Sequence, residues 1–172
     1  VERSGENLLL VFLDRKKAFD EITHTRLFEA LQRLNVPRKI LAIISALYAD
    51  PMFKVVKGAE QSEYKKQSAG IRQGCPLSPY LFLIVMTTLF HDIHTDMDAD
   101  LVSNRVPGAE FDEVTYADDT ICVSTDTRVM NKFIQAIEDE GKRYGMKLNK
   151  KKCEQISING EEEETISFTD GT

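Results

Sequence analysis

Glu113 to Ser124 reads EVTYADDTICVS: two short runs of strand-forming residues, Glu113 to Tyr116 and Thr120 to Ser124, separated by Ala117, Asp118 and Asp119. β-branched and aromatic residues on both sides of so short a polar gap predict a tight hairpin. Its tip is chemically unusual. A turn needs only Asn-Gly or Asp-Gly, whereas adjacent carboxylates repel each other and call for something that offsets them. Taken alone, the pair also fits a solvated turn, since Asp is a common turn residue.

A third acid stands near the beginning of the chain. Asn7 to Leu13 reads as a buried strand whose apolar run, Leu8 to Leu13, stops abruptly at Asp14. On its own, Asp14 is a strand-end acid or a local turn former. If the early strand and the late hairpin are neighbours in one sheet, however, the three carboxylates converge. Hard divalent cations take oxygen ligands, and magnesium is typically held by one or two carboxylates with substrate phosphates completing its shell. Two such ions about 4 Å apart activate a hydroxyl and stabilise a leaving pyrophosphate in an in-line displacement.

Outward from these acids the periodicity changes. From Asp20 onward, Leu27, Phe28, Leu31 and Leu34 recur at helical spacing until Asn35 and Pro37. A second helix starts at Pro37, with Ile40, Leu41, Ile44 and Leu47 on one face, and ends before Asp50-Pro51. Short strands are expected at Phe53 to Val56 and Gln61 to Lys65, around Lys57-Gly58. Two glycines and two prolines make Ser68 to Pro79 a loop feeding an apolar helix from Pro79 to Ile93. His94 to Ala109 reads as a surface connection turning at Pro107-Gly108. Thr125 to Thr127 caps a helix lined by Val129, Met130, Phe133, Ile134 and Ile137 and ended by Gly145. Glu154 to Ile158 and Ile166 to Phe168 are expected to form a second hairpin. The order of elements predicts an α+β fold, a small antiparallel sheet with helices packed on one face.

Composition narrows the class. The chain has 172 residues, 42% hydrophobic and 29% charged, which suits one ordinary globular domain. The apolar run Tyr80 to Phe90 is too short for the roughly 20 residues of a membrane helix, so no transmembrane span is expected. Cys75, Cys122 and Cys153 are odd in number and form no CxxC pair, which favours a reducing, intracellular setting. The chain opens at Val1 without methionine, basic n-region or apolar h-region, so no secretory signal is expected and it reads as a piece of something longer. Twenty-two basic against 28 acidic residues, net charge −6, argue against a domain that merely coats nucleic acid. His91 and His94, with Asp92 and Asp96, have metal-like spacing, but no second His or Cys cluster completes a shell, and a polar helix end is the reading taken.

Four blocks, taken together, resemble the palm of a reverse transcriptase of the LINE-like, non-LTR retrotransposon kind. They are LLLVFLDRKKAFDEI (Leu8 to Ile22), AGIRQGCPLSPYLF (Ala69 to Phe82), YADDT (Tyr116 to Thr120) and GMKLNKKKCE (Gly145 to Glu154), in family order along nearly the whole chain. The resemblance implies a palm over residues 1–172, with most of the fingers and the thumb missing. It implies an RNA-directed DNA polymerase core that extends a DNA primer with dNTPs on an RNA template, using two Mg2+ ions, or Mn2+. By resemblance Asp14, Asp118 and Asp119 are the metal-binding catalytic acids, and the backbone carbonyl of Arg15 or its neighbour completes a metal shell. Phe19 matches the aromatic steric gate against a ribose 2′-hydroxyl. Gln73 and Gly74 match the loop beside nucleotide and template, with Arg72 placed to contact phosphate. Tyr116 falls near the primer terminus or template base, and Lys152 matches a lysine that donates a proton to departing pyrophosphate. Leu83 stands where relatives often carry asparagine. The resemblance further implies a larger polyprotein with fingers, thumb and, in some such elements, an endonuclease, acting in the nucleus.

Two other readings use the same residues. An incomplete or inactive palm serving as scaffold or element relic is compatible with the same residues. A phosphoryl-accepting receiver domain also gathers acids, a hydroxyl residue and a lysine around magnesium, but it needs its acidic pair after the first strand, and here the lone Asp14 comes first.

Overall fold

The computed structural model describes Gly5, residues 7–159, Ile166 and Phe168. Strand β1 (Leu8–Leu13) alternates, with Leu9, Val11 and Leu13 buried and their neighbours only partly so. Asp14 follows, then a two-residue strand β2 (Arg15–Lys16). The helix expected from Asp20 to Leu34 is divided in two: α1 (Ala18–Glu21) and α2 (His24–Arg33). The break has a tertiary cause. Ile22 is extended, Thr23 forms a bridge to Ala69, and the Thr23 N–H donates to the Tyr144 carbonyl at 3.0 Å. Helix α2 buries Leu27, Ala30 and Leu31 and stops at Asn35, whose φ of 54° and flanking 3.0 and 3.1 Å bonds make a Schellman closure.

Helix α3 (Arg38–Tyr48) begins after Pro37 as expected, but its buried residues are Ile44 and Tyr48, while Ile40 and Leu47 of the predicted face are exposed. The expected pair of strands after it becomes two short two-stranded ladders. Strand β3 (Met52–Phe53) pairs with β6 (Lys65–Lys66), and β4 (Val56–Lys57) pairs with β5 (Glu60–Gln61). The loop before the next helix holds, with positive φ at Gly70 and Gly74.

Helix α4 (Ser78–Ser103) is ten residues longer than Ile93, which corrects the surface connection expected at His94 to Ala109. Met97 and Leu101 continue the buried stripe of Phe90 and Ile93, and no glycine or proline intervenes before Pro107. None of the described helices, α4 included, is long and apolar enough to cross a membrane.

Strands β7 (Glu113–Tyr116) and β8 (Asp119–Ser124) form the hairpin, tighter by one residue than expected: Tyr116 pairs with Asp119, leaving Ala117 and Asp118 as the turn. Helix α5 (Thr127–Arg143) is capped by Asp126, whose carboxylate accepts from the Val129 N–H at 2.9 Å, and it closes on Gly145. Strand β9 (Lys147–Leu148) pairs with β2, and β10 (Glu154–Ile158) pairs with β1. The return arm expected at Ile166 to Phe168 falls mostly outside the described residues. Ile166 is buried there, and its N–H donates to Gln155 Oε1 at 3.1 Å.

The main sheet runs β10-β1-β8-β7, antiparallel throughout. Leu9, Val11 and Leu13 of β1 face Ser124, Cys122 and Thr120 of β8, and all six are buried. That shared face carries the core with α4 and α5, as an α+β sheet with helices on one side requires. The early strand and the late hairpin are therefore direct neighbours.

Candidate active site

The register of β1 on β8 decides where the acids go. Leu13 lies opposite Thr120, so the next step outward sets Asp14 against Asp119 at the strand ends. Asp14 and Asp118 line one cleft of about 550 Å3 together with Arg15, Lys16, Lys17, Glu21, Asn149 and Lys152. Asp14 and Asp119 line a second, of about 620 Å3, with Tyr116, Lys151 and Lys152. Asp14 thus stands on the divide between two openings, one holding each member of the acidic pair.

Surrounding groups hold this arrangement. The Asp14 carbonyl accepts from the Asn149 N–H at 2.8 Å, which ties the strand end to the turn after β9. Lys152 Nζ lies 3.5 Å from Asp14 Oδ2 and is otherwise well exposed. Its neighbours part from it: Lys150 pairs with Glu138 at 3.2 Å and lies over the Phe168 ring, and Lys151 lines the second cleft. Arg15 is 4% exposed, and its Nη1 donates to the Asp118 carbonyl at 2.9 Å and to Thr120 Oγ1 at 2.8 Å. Burial pulls its pKa below the ordinary guanidinium value, a shift that the nearby Asp118 carboxylate opposes. Burial also pushes the Cys122 and Cys153 thiols up, so both stay protonated at neutral pH.

Among the described residues, no three His, Cys, Asp or Glu side chains form a ready metal cluster. The donors are nevertheless those magnesium accepts. Asp14 and Asp118 offer hard carboxylate oxygens across one open cleft, and such a pair fits an ion whose shell is completed by substrate phosphates and water.

The other residues singled out in the sequence divide into two groups. Phe19 stacks on Phe82, ring centroids 4.4 Å apart and 15° between planes. It borders a cleft of about 450 Å3 lined also by Gln73 and Gly74, and Gln73 Nε2 donates to Asp20 Oδ1 at 3.0 Å. Tyr116 is 83% exposed at the hairpin tip, so it does not pack in the core as a strand tyrosine commonly does. Arg72 points elsewhere: its Nη2 donates to the Leu47 carbonyl at 3.1 Å and its guanidinium lies over Tyr48. Leu83 is exposed on an apolar cleft of about 690 Å3 between α4 and β7, which Phe19 and Tyr116 also line.

Sequence reasoning does not pick out Glu21, Asn149 or the Arg15 side chain. For Arg15 a signal existed, because alternation from Leu9, Val11 and Leu13 sends residue 15 inward. His24 holds the loop in place through the 2.9 Å contact of its Nε2 with the Gly70 carbonyl. His94 of α4 serves the fold: its Nε2 meets Glu113 Oε2 at 2.8 Å, beside the ion pair of Arg105 with buried Asp112. Burial raises the Glu113 pKa while His94 opposes the rise.

The sequence matches the family described as reverse transcriptase (RNA-dependent DNA polymerase) over residues 1–169. This chain belongs to the reverse transcriptase family. Among proteins similar to this reverse transcriptase chain is the retrovirus-related Pol polyprotein from type-1 retrotransposable element R2 of Nasonia vitripennis, 26% identical over 89% of this chain and 14% of that protein. The RNA-directed DNA polymerase from mobile element jockey of Drosophila melanogaster is 25% identical over 86% of this chain and 16% of its own length. The chain thus spans about a seventh of the length of these two relatives. Among solved structures, apo telomerase from Candida tropicalis, truncated from its C-terminal domain, superposes with a TM-score of 0.68 at 15% identity, covering 91% of this chain and 32% of that one. That likeness establishes a polymerase palm-like fold for this reverse transcriptase chain.

Proposed function

We propose that this chain is the palm core of an RNA-directed DNA polymerase of the non-LTR retrotransposon kind, which extends a DNA primer with dNTPs on an RNA template. The observation that carries this reading is the pairing of β1 with β8, which brings Asp14 into one cleft with Asp118 and opposite Asp119. Asp14 and Asp118, with Asp119 beside them, would hold two Mg2+ ions, which when bound would supply acidity at the primer 3′-hydroxyl and positive charge at the leaving pyrophosphate. Mn2+ offers the same octahedral oxygen chemistry.

The chain's own groups do the rest. Lys152, largely exposed and 3.5 Å from Asp14 Oδ2, would give a proton to pyrophosphate as it departs. Phe19, braced by Phe82, forms a rigid wall where a ribose 2′-hydroxyl would project. Gln73 and Gly74 border the same opening from the loop, and exposed Tyr116 offers a ring to the primer end or template base. Arg72 reaches a phosphate only by releasing Leu47, and its present contacts support a role in holding the loop. Fingers, thumb, an endonuclease and nuclear residence belong to the larger polyprotein this reading expects.

The test is Mg2+-dependent primer extension on an RNA template by the full-length parent protein. The parent extends the primer and Asp118→Ala abolishes extension. Extension unaffected by Asp118→Ala, or absent from the parent, refutes the polymerase reading and leaves the scaffold.

A further inference from the structure

The side chain least expected at this site is a buried guanidinium. Alternation along β1 carries Leu9, Val11 and Leu13 into the core, and Arg15, two residues on, follows them inward while Asp14 faces the cleft. An apolar residue would fill that space without the cost of desolvating a charge. Arg15 instead spends both bonds of its Nη1 on the hairpin: the Asp118 carbonyl at 2.9 Å and Thr120 Oγ1 at 2.8 Å. Its Nη2 is buried and has no hydrogen-bond partner among the described residues. The bonds are selective, for they grip the residue carrying the second acid and the strand residue just beyond its neighbour.

The hairpin tip has reason to need such a grip. Its turn places Ala117 at a φ of 53° without glycine, and β7 is the edge strand of the sheet. Nothing in the ladder itself fixes Asp118, which lies outside both strands. Arg15 is covalently next to Asp14, so a bond from its side chain to the Asp118 backbone couples the two acids through a tether one residue long. We propose that Arg15 is a positioning residue that sets Asp118 relative to Asp14 through the Asp118 carbonyl, so that the two carboxylates meet one divalent cation across the cleft. This rests on the reading that Asp14 and Asp118 hold that cation.

A charge-balancing role for Arg15 predicts the opposite sign. Removing a buried positive charge beside two carboxylates tightens cation binding if charge alone matters, whereas loss of position weakens it. The measurement is Mn2+ binding to the 172-residue chain by electron paramagnetic resonance, with circular dichroism confirming that each variant is folded. Asp118→Asn weakens binding and so identifies the site. Arg15→Met weakens it by about tenfold, the scale on which partners of metal ligands act. Arg15→Lys, which keeps the charge but is one atom too short to bring its Nζ to the position of Nη1, recovers only part of the loss, and Thr120→Val shows a smaller weakening with the charge intact. Unchanged or tighter binding in folded Arg15→Met, with Asp118→Asn impaired, overturns the positioning role alone. If Arg15→Met does not fold, Thr120→Val decides, and binding equal to the parent overturns the role. Mn2+ binding that ignores Asp118→Asn removes the metal reading and the positioning role with it.

Discussion

Gly145 ends α5 at a φ of +91°, and a Cβ built on it falls 2.3 Å from the Glu21 carbonyl oxygen and 3.2 Å from Thr23 Cγ2. The nearest contact is backbone, and it belongs to the short helix that carries Phe19. Gly145→Ala therefore meets two separate penalties. Left-handed backbone at an alanine costs about 1 kcal/mol, and forcing apart two main-chain segments already in contact costs about 2 kcal/mol more. The expected destabilisation of about 3 kcal/mol corresponds to a fall of about 6–12 °C in Tm for a chain of this size. Gly108→Ala is the internal control, since Gly108 has a φ of +84° but no atom within 4 Å of its Cβ. It should lose about 1 kcal/mol, or about 2–4 °C. Thermal denaturation by circular dichroism, both variants in the same buffer, measures the difference. Equal melting temperatures would show that α1 does not press on the end of α5 and would refute the tertiary explanation for the break between α1 and α2.

Phe19→Ala removes the ring stacked on Phe82, and in the full-length parent it should raise ribonucleotide relative to deoxynucleotide incorporation by about 10–100-fold, read as a ratio of kcat/KM values. An unchanged ratio rejects the gate. Leu101→Ala truncates a 3%-exposed side chain in the last turn of α4 and should cost about 3 kcal/mol in urea unfolding, whereas a surface loop there would cost almost nothing. The Arg33 hydrogen bond holds the Asp92 carboxyl below the usual carboxylate range, so its contribution to stability is present above the unfolded value near 3.8 and is lost as pH falls through the lower folded one. Asp92→Asn should accordingly cost about 1 kcal/mol at pH 7, and the deficit should vanish under strong acid; a deficit independent of pH would contradict the ion pair.

Much of the molecule was legible along the chain because local patterns and the core agree. The alternation of Leu8 to Leu13, the stripe of Val129, Met130, Phe133, Ile134 and Ile137, and the glycine closing α5 each appear where periodicity puts them. Errors arose where a distant segment intervenes. The helix from Asp20 looked continuous because the Thr23 N–H meets the Tyr144 carbonyl only after more than a hundred intervening residues have folded back. The tail of α4 looked like a loop because the partly buried Met97 and the buried Leu101 carry its inner side beneath an otherwise polar surface. The ladder between β2 and β9 is two residues long on each side, too short to leave a period.

The types and order of the acids, and the strands that bear them, could be read before any folding was known, since charge at the end of an apolar run is a local fact. Their meeting could not. It depends on β1 taking β8 as a neighbour in one particular register, and slipping that register by one residue would turn the buried side chains outward. The same long-range pairing turned Arg15 from one basic residue among several into a buried contact of the hairpin, because burial and hydrogen-bond partners are properties of what the rest of the chain packs against a residue.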